Sequence, residues 1–465
     1  MLKLFNTQSR EKELVHSHNS HIKMYTCGPT IYDFAHIGNF RTYVFEDLLR
    51  RAIQHFGFKI EQAMNITDID DKTIRGALAR NIPLKEYTEP FKTAFFEDLD
   101  ALNIQRAEHY PAATDYIPEM IQMIEQLLEK GYAYKSPNGS IYFSIRQFST
   151  YGRLSRLKLA DLKVNASGDN QADEYDKDNI SDFVLWKAFD PERDGKIFWE
   201  SPFGKGRPGW HIECSAMANK ILGETIDIHC GGVDNMFPHH ENEIAQSECC
   251  SGQRFVYQWV HVEHLLVDHK KMSKSLGNFY TLRDLLQKGY SGSEVRYLLL
   301  STHYRTQLNF TFAGLDAARS SLQRIEDLIE RLRSVKESKS STASSERAKT
   351  RFDAALADDL NISSALAALF DFLRELNVLA DQDKLGVEEA REALKLFEEW
   401  DKILGVLPLK KKEDEIPVEL TRLLEEREKA RKEKNFKQSD AMRDAILSQG
   451  YVIEDTPKGA RLKKL

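Results

Sequence analysis

The chain has 465 residues, 41% of them hydrophobic, and because one core rarely serves so long a chain we expect about three domains. A run of about 18 apolar residues occurs nowhere, and Met1–Arg10 lacks the apolar stretch of a secretory signal, so neither a membrane span nor export is expected. The net charge of −7 does not indicate a nucleic-acid binder except through a local surface, and five cysteines without disulfide-framework spacing favour a reducing cytoplasm.

The first 65 residues alternate between strand and helix patterns. Ile22–Cys27 and Phe58–Met64 are predicted as short strands, and apolar residues at helical spacing predict a helix over Gly38–Phe56 between them. This order indicates half of a doubly wound, Rossmann-like α/β fold with a parallel sheet. Ligands of such folds bind at the carboxyl ends of the strands, which here are residues 27–39 and 65–72.

The next stretch is predicted to be an inserted subdomain. A helix over Ile117–Lys130 is followed by Tyr132–Ile145, where the pair Asn138-Gly139 between alternating apolar residues predicts a β-hairpin. Gly168–Asp182 is polar and acidic and is predicted to be a surface loop.

The α/β pattern then resumes. A helix over Trp210–Leu222, a strand over Thr225–Cys230, a helix over Pro238–Cys250 and a strand over Val256–Val267 are predicted in turn. These elements are expected to complete the doubly wound sheet after the insertion.

From Leu282 onward the pattern is helical, and apolar residues between Leu366 and Leu376 predict an amphipathic helix of a bundle. Ser334–Ser345 is predicted to be an exposed connection, and Leu409–Pro417 a linker to a small terminal module. The predicted domains are the first Rossmann half (1–111), the insertion (112–205), the second Rossmann half (206–281), the helical bundle (282–408) and the terminal module (417–465).

A candidate metal site combines residues from three segments. His239 and Glu243 lie four residues apart on a predicted helix and share one face, while Cys27 and Cys214 lie beside sheet edges that should meet at one cleft. Thiolate, imidazole and carboxylate are the ligands of tetrahedral zinc. Two other interpretations stay open at this point: free cysteines are often small buried hydrophobes, and His239 and Glu243 could form only a helix-surface contact.

A hydrolytic metal site is a further alternative for this helix, because residues 239–243 read His-His-Glu-Asn-Glu. The zincin arrangement, however, is His-Glu-x-x-His, with two histidines four residues apart. That order does not occur in this run.

The segment His36–Asn39 has features of a phosphate-binding helix start. It follows a predicted strand and opens a predicted helix, whose free N–H groups and positive dipole end suit phosphate. Gly38 permits close approach of a ligand, and His36 and Asn39 can donate hydrogen bonds. Four residues at a helix start could also serve structure alone.

A second candidate phosphate motif is Lys271–Ser275, which follows an apolar strand. Its two lysines stand among hydroxyl groups, and their charges suit the β- and γ-phosphates of a nucleotide. A lone basic loop is usually a solvated surface. The occurrence of this loop and of His36–Asn39 at either end of one α/β fold favours the phosphate-binding interpretation.

With these motifs the chain resembles class I aminoacyl-tRNA synthetases, and specifically the cysteinyl-tRNA synthetase family. His36–Asn39 is similar to the HIGH signature, and Lys271–Ser275 matches KMSKS without departure. The resemblance extends along essentially the whole chain. The blocks that resemble the cysteine-specific members are Cys27–Asp33, Asn65–Asp68, Gly209–Ser215 and Phe237–Glu243.

The resemblance implies roles for individual residues, with one departure. Asn39 stands where many family members carry the second histidine of HIGH, and an amide can donate a hydrogen bond but cannot carry positive charge. The implied site residues are Cys27, Cys214, His239 and Glu243 as ligands of one zinc ion; His36, Asn39, Lys271 and Lys274 as catalytic groups; Gly28, His36, Gly38, Asp234 and Lys274 around ATP; and Thr67, Trp210 and His211 around the amino acid.

The resemblance also implies a two-step ligase reaction with cysteine, ATP with Mg²⁺, and tRNA(Cys) as partners of a monomeric chain. The cysteine carboxylate would attack the α-phosphate of ATP, and the terminal ribose hydroxyl of tRNA would then take the cysteinyl group. Zinc would separate cysteine from serine, because it deprotonates a coordinating thiol and prefers thiolate as a soft ligand. A merely shaped pocket discriminates poorly between such near-isosteres.

The terminal segment is locally basic. Arg422–Leu465 contains 12 Lys+Arg and 8 Asp+Glu, a balance of 12 − 8 = +4, and such a patch can bind phosphate backbones, although a solvated charged helix is the commoner explanation. By resemblance, four residues of this segment correspond to anticodon-reading positions, and one of them is Phe where some members have Trp. These tRNA-binding residues are Arg431, Phe436, Asp440 and Arg443.

Two rival functions are open to a chain with these motifs. One is a related ligase that attaches cysteine to a small amino sugar, which would not require the helices over Leu315–Leu404 or a basic terminal module. The other is a non-enzymatic tRNA-binding paralogue, against which an intact KMSKS motif and all four candidate metal ligands argue.

Overall fold

The structure of the chain, a computed structural model, describes residues 1–18, 20–157, 182–339, 345–409, 417–433, 435–456 and 459–464. It contains two compact units, Met1–Leu409 and Lys410–Leu465. The predicted acidic loop Gly168–Asp182 lies outside the described residues, except for Asp182. Residues 340–344 and 410–416 of the two predicted connections also lie outside the described residues. None of the helices within the described ranges is long and apolar enough to cross a membrane.

Helices and strands alternate in the first half of the chain, and helices dominate the second half. The helices are α1 (Ile37–His55), α2 (Asp71–Arg80), α3 (Leu84–Ala101), α4 (Ile117–Glu129), α5 (Pro191–Asp194), α6 (Trp210–Leu222), α7 (His239–Ser251), α8 (Leu282–Gln287), α9 (Gly292–Leu300), α10 (Phe312–Ser334), α11 (Ser345–Ala357), α12 (Ile362–Asp381), α13 (Val387–Leu404), α14 (Val418–Lys432) and α15 (Phe436–Ser448). The strands are β1 (Lys3–Asn6), β2 (Glu11–Leu14), β3 (Ile22–Thr26), β4 (Ile60–Met64), β5 (Ala133–Lys135), β6 (Ile141–Phe143), β7 (Phe183–Ala188), β8 (Gly206–Pro208), β9 (Ile226–Gly232), β10 (Val256–Val262), β11 (Leu265–Val267), β12 (Lys270–Lys271), β13 (Leu308–Phe310), β14 (Tyr451–Thr456) and β15 (Gly459–Lys464).

Four parallel strands form the central sheet in the order β10-β9-β3-β4. β3 lies inside the sheet, where Met24 pairs with Gln62 of β4 and with Ile228 of β9. The strands before and after the insertion therefore meet in one sheet. The predicted Rossmann-like parallel sheet is confirmed.

Alternating side chains divide the apolar residues of this sheet between two layers of helices. Met24 and Ile228 belong to an apolar cluster with Leu49 of α1 on one face. Tyr25, the next residue in β3, belongs to a different cluster with Ile244 of α7. Because successive residues of a strand point to opposite faces, α1 covers one face and α6 and α7 cover the other, as in a doubly wound fold.

A separate antiparallel sheet has the order β5-β6-β7-β8. Its first three strands lie within the predicted insertion, and β8 begins just after the predicted end at residue 205. The predicted hairpin is confirmed as β5 and β6, with Ala133 opposite Phe143 and Lys135 opposite Ile141. Gly139 in the turn has a φ of 88°, a conformation that glycine adopts without strain.

Two predicted elements differ from the structure. The run Val256–Val267, predicted as one strand, is divided at residues 263–264 into β10 and β11, and β11 pairs with β12 and β13 in a separate sheet. The helical pattern after Leu282 also contains β13, which runs parallel to β11. An apolar run indicates a buried strand without indicating its sheet.

A buried polar network fastens α1 to the helices of the first unit. Asp47 of α1 accepts hydrogen bonds from Arg51 at 2.7 Å and from Arg296 of α9. Arg296 also donates to the carbonyl oxygen of Leu404 at 2.7 Å, and Arg51 donates to that of Lys402 at 2.9 Å. Two carbonyl groups in the last turn of α13 thus accept hydrogen bonds from arginine side chains, which satisfies part of the unpaired helix end.

The N-terminus of α9 gives a test of local stability away from the cleft. Ser291 caps the helix by accepting the backbone N–H of Glu294 at 3.3 Å, and Glu294 accepts the N–H of Ser291 at 2.8 Å. Ser291→Ala is expected to lower the free energy of unfolding by about 1 kcal/mol, measured in urea. Ser293→Ala, at an exposed position in the same turn, is the control, and an equal loss in both would contradict the capping role.

The second unit consists of α14, α15 and the antiparallel hairpin of β14 and β15. Its small core joins Leu420 and Ile446 from the helices to Tyr451 and Leu462 from the strands. The hairpin is a feature that the sequence patterns did not predict.

Candidate active site

A cleft of about 540 Å³ opens at the carboxyl ends of the parallel strands. It lies among the segments that follow β3, β4 and β9, where a doubly wound sheet binds its ligand. The remaining predicted residues of the first unit, His211, Glu243 and Lys274, contact residues that line the cleft. The predicted site residues that line it directly are Cys27, Gly28, His36, Gly38, Asn39, Thr67, Trp210, Cys214, Asp234, His239 and Lys271.

His36 and Asn39 form a reciprocal cap at the start of α1. The Nδ1 atom of His36 accepts the backbone N–H of Asn39 at 3.2 Å, and the Oδ1 atom of Asn39 accepts the N–H of His36 at 3.1 Å. This box satisfies two N–H groups of the first turn and fixes both side chains. Asn39, which replaces the second histidine of HIGH, therefore uses its Oδ1 atom to cap the helix. Its Nδ2 group can donate a hydrogen bond to a ligand.

The same cap defines the tautomer of His36. Because Nδ1 accepts a hydrogen bond, the neutral ring carries its proton on Nε2. Burial lowers the pKa of His36 to about 4, although the charge of Asp234 opposes the shift. At neutral pH the ring is thus uncharged and can act in the cleft as a hydrogen-bond donor, not as a cation.

Two glycines of the predicted nucleotide motifs allow close packing around the cleft. A Cβ atom at Gly38 would lie 2.9 Å from the ring of His36 and 3.2 Å from the terminal carbon of Met272. A Cβ atom at Gly28 would lie 1.8 Å from the carbonyl oxygen of Asn65. Glycine at these positions lets the loop that contains Met272 approach α1, and joins the segment after β3 to the segment after β4.

Lys274 lies near the cleft, beside the segment that contains Asp33. Its Nζ atom forms an ion pair with Asp33, a lining residue, and lies 5.1 Å from the ring centre of Phe279. The hydrogen bond with Asp33 raises the pKa of Lys274. The ammonium group is therefore charged, and with 65% of the side chain exposed it is accessible to a nucleotide.

The four candidate metal ligands converge below the cleft. Cys27 follows β3, Cys214 lies on α6, and His239 and Glu243 lie one turn apart on α7. One ligand atom of each lies within 4.8 Å of those of the other three, and all four residues are buried. Segments far apart in sequence thus supply two thiols, one imidazole and one carboxylate, which is a donor set that fits zinc.

A second set of donors overlaps the first. It contains Cys27 and Glu243 again, with His229 and His240 in place of Cys214 and His239. The Sγ atom of Cys27 lies 3.2 Å from Nε2 of His240, and His229 Nε2 lies 3.0 Å from a carboxylate oxygen of Glu243. Three members of the first set line the cleft, against one member of the second set, Cys27, so the first set is the more open to the cavity.

The anionic groups of the first set attract positive charge, and a bound metal would take the place of the proton on His239. A hydrogen bond with Cys27 lowers the pKa of Cys214 to about 6, whereas it raises that of Cys27. Against the effect of burial, His229 and His239 lower the pKa of Glu243 to about 2, and Glu243 and Cys214 raise that of His239 to about 10. The Oε1 atom of Glu243 lies 3.1 Å from Nε2 of His239 in a buried ion pair.

The predicted amino-acid pocket lies next to this set. Thr67 accepts a hydrogen bond from Asn65 at 3.1 Å and donates one to Glu213 at 3.1 Å, which fixes its hydroxyl group. The ring of Trp210 stacks on His239 with centres 4.2 Å apart. His211 is only 2% exposed and does not line the cleft; its Nδ1 lies 2.9 Å from Nδ1 of His239, which places it behind the wall of the pocket.

A chain of histidines behind the candidate metal ligands was not predicted from the sequence. His240 Nδ1 lies 2.8 Å from His261 Nε2, and His261 Nδ1 lies 2.8 Å from the hydroxyl of Thr7. The one sequence feature that could have indicated this chain of histidines is that His240 directly follows His239. It was misleading by itself, because neighbouring residues of a helix do not share a face.

The predicted tRNA-binding residues lie on the helices of the second unit. Phe436, Asp440 and Arg443 follow helical spacing on α15 and share one face, and Arg431 lies near the end of α14. All four are exposed, and Phe436 exposes 64% of its surface. An exposed ring beside charged groups is typical of contacts with unpaired bases.

Comparison with protein families gives three matches along the chain. The model of the class I (C) tRNA synthetase catalytic domain matches residues 13–320. The DALR domain matches residues 351–408, and the cysteinyl-tRNA ligase anticodon binding domain matches residues 413–461.

Several relatives match over the entire chain, and two of them show the degree of similarity. A cysteine–tRNA ligase of Protochlamydia amoebophila is 62% identical over 467 residues, covering 100% of this chain and 98% of the relative. A cysteine–tRNA ligase of Chlamydia felis is 56% identical over 470 residues, with the same coverage.

Solved structures of more distant proteins share the fold. Methionyl-tRNA synthetase of Mycobacterium tuberculosis in complex with methionyl-adenylate is 12% identical, with a TM-score of 0.56 over 83% of this chain and 90% of that one. The leucyl enzyme LeuRS of Agrobacterium radiobacter is 12% identical, with a TM-score of 0.59 over 86% and 87%. By its full-length relatives and its matched domains, the chain belongs to the cysteinyl-tRNA synthetase family of class I.

Proposed function

We propose that the chain is a cysteine–tRNA ligase that forms cysteinyl-adenylate from cysteine and ATP and then transfers the cysteinyl group to tRNA(Cys). The observation that carries the proposal is the shared cleft. Three members of a two-thiol metal-ligand set open into the cavity that also contains His36, Asn39 and Lys271. The relatives that match the whole chain carry this activity in their names.

We propose that the four candidate metal ligands and the adjacent pocket select cysteine. Cys27, Cys214, His239 and Glu243 would hold one Zn²⁺, which supplies, when bound, a soft acid that takes a thiolate in preference to a hydroxyl. Trp210, stacked on His239, would close the apolar side of the pocket. His211 would act through His239 by fixing the orientation of its ring.

Adenylate formation requires that charge be stabilised as pyrophosphate leaves. The carboxylate oxygen of cysteine attacks the α-phosphorus of ATP, and the bond to the bridging oxygen of pyrophosphate breaks. Nε2–H of His36 and the amide of Asn39 would donate to phosphate oxygens, and Lys271 and Lys274 would face the charge that develops, together with Mg²⁺. Gly28, Gly38 and Asp234 would border the nucleotide.

The second step consumes the adenylate. A hydroxyl of the terminal ribose of tRNA attacks the activated carbonyl carbon, AMP leaves, and the hydroxyl proton passes to the leaving phosphate. The second unit would bind the anticodon through Arg431, Phe436, Asp440 and Arg443. We further propose that the chain is a monomer that acts in the cytoplasm, with the domain boundaries given above.

The function is tested by two assays on the full chain. Cysteine-dependent exchange of pyrophosphate into ATP is expected, with serine inactive at the same concentration, followed by charging of tRNA(Cys). Exchange without charging, with cysteine passed to an amino sugar instead, would favour the rival ligase. Binding of tRNA without exchange would favour a non-enzymatic paralogue.

The exposed face of α15 gives a separate prediction for tRNA recognition. Arg443→Ala is expected to weaken charging by raising the KM for tRNA, while exchange is retained because the reacting groups lie in the first unit. If Arg443 contacts a phosphate, the slope of log affinity against log salt should decrease by about one. Equal charging by the variant and the unaltered chain at all salt concentrations would contradict this assignment.

A further inference from the structure

Two aromatic side chains are exposed at the mouth of the cleft. Tyr32 exposes 37% and Phe34 exposes 40% of its surface, and both line the cavity. They belong to the segment that joins β3 to α1 and ends at His36. Single exposed apolar residues are common on protein surfaces, but two rings beside the candidate phosphate site form a platform.

The platform is supported from below by α3. The ring of Phe34 contacts the ring of Phe91 edge to face, with centres 5.3 Å apart. The hydroxyl of Tyr87 donates to the carbonyl oxygen of Tyr32 at 2.8 Å. Because Phe91 and Tyr87 are themselves buried, the two rings are held in place before a ligand arrives, which reduces the entropy cost of binding.

Each ring also has a cationic neighbour. The Nζ atom of Lys72 lies 5.2 Å from the ring centre of Tyr32, and the guanidinium carbon of Arg283 lies 5.5 Å from that of Phe34. Aromatic rings interleaved with basic side chains are the arrangement by which proteins bind unpaired nucleotides, since rings stack on bases and cations attract the backbone.

We propose that Tyr32 and Phe34 form a stacking platform for the unpaired bases at the 3′ end of tRNA. The proposal rests on the proposed function, which requires a terminal ribose to reach an adenylate in the cleft. A single strand has free base faces that can lie on these rings. The terminal ribose would then be directed into the cavity beside His36.

The charges around the platform limit the path of the strand. Beyond Phe34, a groove along α3 is lined by Glu86, Glu89 and Glu97 and also by Lys85 and Arg283, so its carboxylates exceed its cations and disfavour a phosphate backbone. Arg283 is paired with Glu97 at 2.6 Å and so supports Phe34 more than it attracts phosphate. These charges favour a path of the strand on the cleft side, where Lys72 lies.

The test compares three substitutions of Phe34 by the ratio of tRNA charging to cysteine-dependent exchange. Phe34→Ala is expected to lower this ratio about tenfold, the order of one lost base–ring stack. Phe34→Leu keeps apolar bulk without a ring and should resemble alanine, whereas Phe34→Tyr should restore the ratio. A leucine variant equal to the unaltered chain would show that Phe34 serves packing only, and would overturn the proposal.

A binding measurement separates the platform from other tRNA contacts. Phe34→Ala should weaken the binding of intact tRNA but not that of tRNA lacking its unpaired 3′ nucleotides. An equal loss with both RNAs would overturn the platform. Failure of the unaltered chain to charge tRNA would contradict the proposed function instead, and the binding comparison would still decide the role of Phe34.

Discussion

Lys274→Ala is expected to lower the rate of cysteine-dependent pyrophosphate exchange by about 100-fold or more, the loss typical of one preorganised charge or donor in a transition state. The charge on the leaving pyrophosphate grows as the bond to the α-phosphorus breaks, so the missing ammonium group costs more in the transition state than in the bound substrate. The KM for cysteine should change little, because the proposed cysteine site is the candidate metal set and Lys274 is not part of it.

The control for this prediction is Lys270→Ala. Lys270 is an exposed lysine of β12, next to the same loop. The lysine that pairs with the lining residue Asp33 is Lys274. Lys270→Ala should leave the rate of pyrophosphate exchange unchanged. A general loss of basic charge would then not explain the effect of Lys274→Ala. An unchanged rate of adenylate formation in single-turnover measurements of Lys274→Ala would show that the loop is only structural.

Cys214→Ala is expected to abolish metal binding and to lower cysteine-dependent exchange by more than about 100-fold, the upper range for loss of an outer-shell partner of a ligand. The unaltered chain should contain about one zinc per chain by elemental analysis after purification without added metal, because the four donors lie within bonding reach of one ion. A metal-free chain with full activity would refute the assignment.

Two control variants decide which donors bind the metal. Cys249→Ala removes a buried thiol that lies in the apolar core outside both donor sets, and it should retain zinc and activity. His229→Gln removes a donor that belongs to the second set only, and the glutamine amide can still donate a hydrogen bond to Glu243, so this variant should still contain one zinc at saturating metal. Loss of zinc in His229→Gln together with retention in Cys214→Ala would assign the metal to the second set.

Local sequence determined the elements that carry the site. The helical spacing of apolar residues predicted α1, and the alternation of strand and helix patterns predicted α4, α6 and α7, each to within one residue at either end. Asn138-Gly139 predicted the hairpin of β5 and β6. The spacing of His239 and Glu243 placed both on one face of a helix. These features depend on contacts between near neighbours in the chain, which propensity and periodicity express directly.

Tertiary structure alone decided which side chains meet. His229 lies as close to Glu243, at 3.0 Å, as the predicted ligand His239 does at 3.1 Å. This contact, and the place of His211 behind the pocket wall, depend on how α6 and α7 pack on the sheet. The division of Val256–Val267 between two sheets and the pairing of Lys274 with Asp33 across 241 residues are likewise long-range. Sequence periodicity fixes the face of an element, whereas partners across the fold are set by the packing of whole layers, which no local pattern contains.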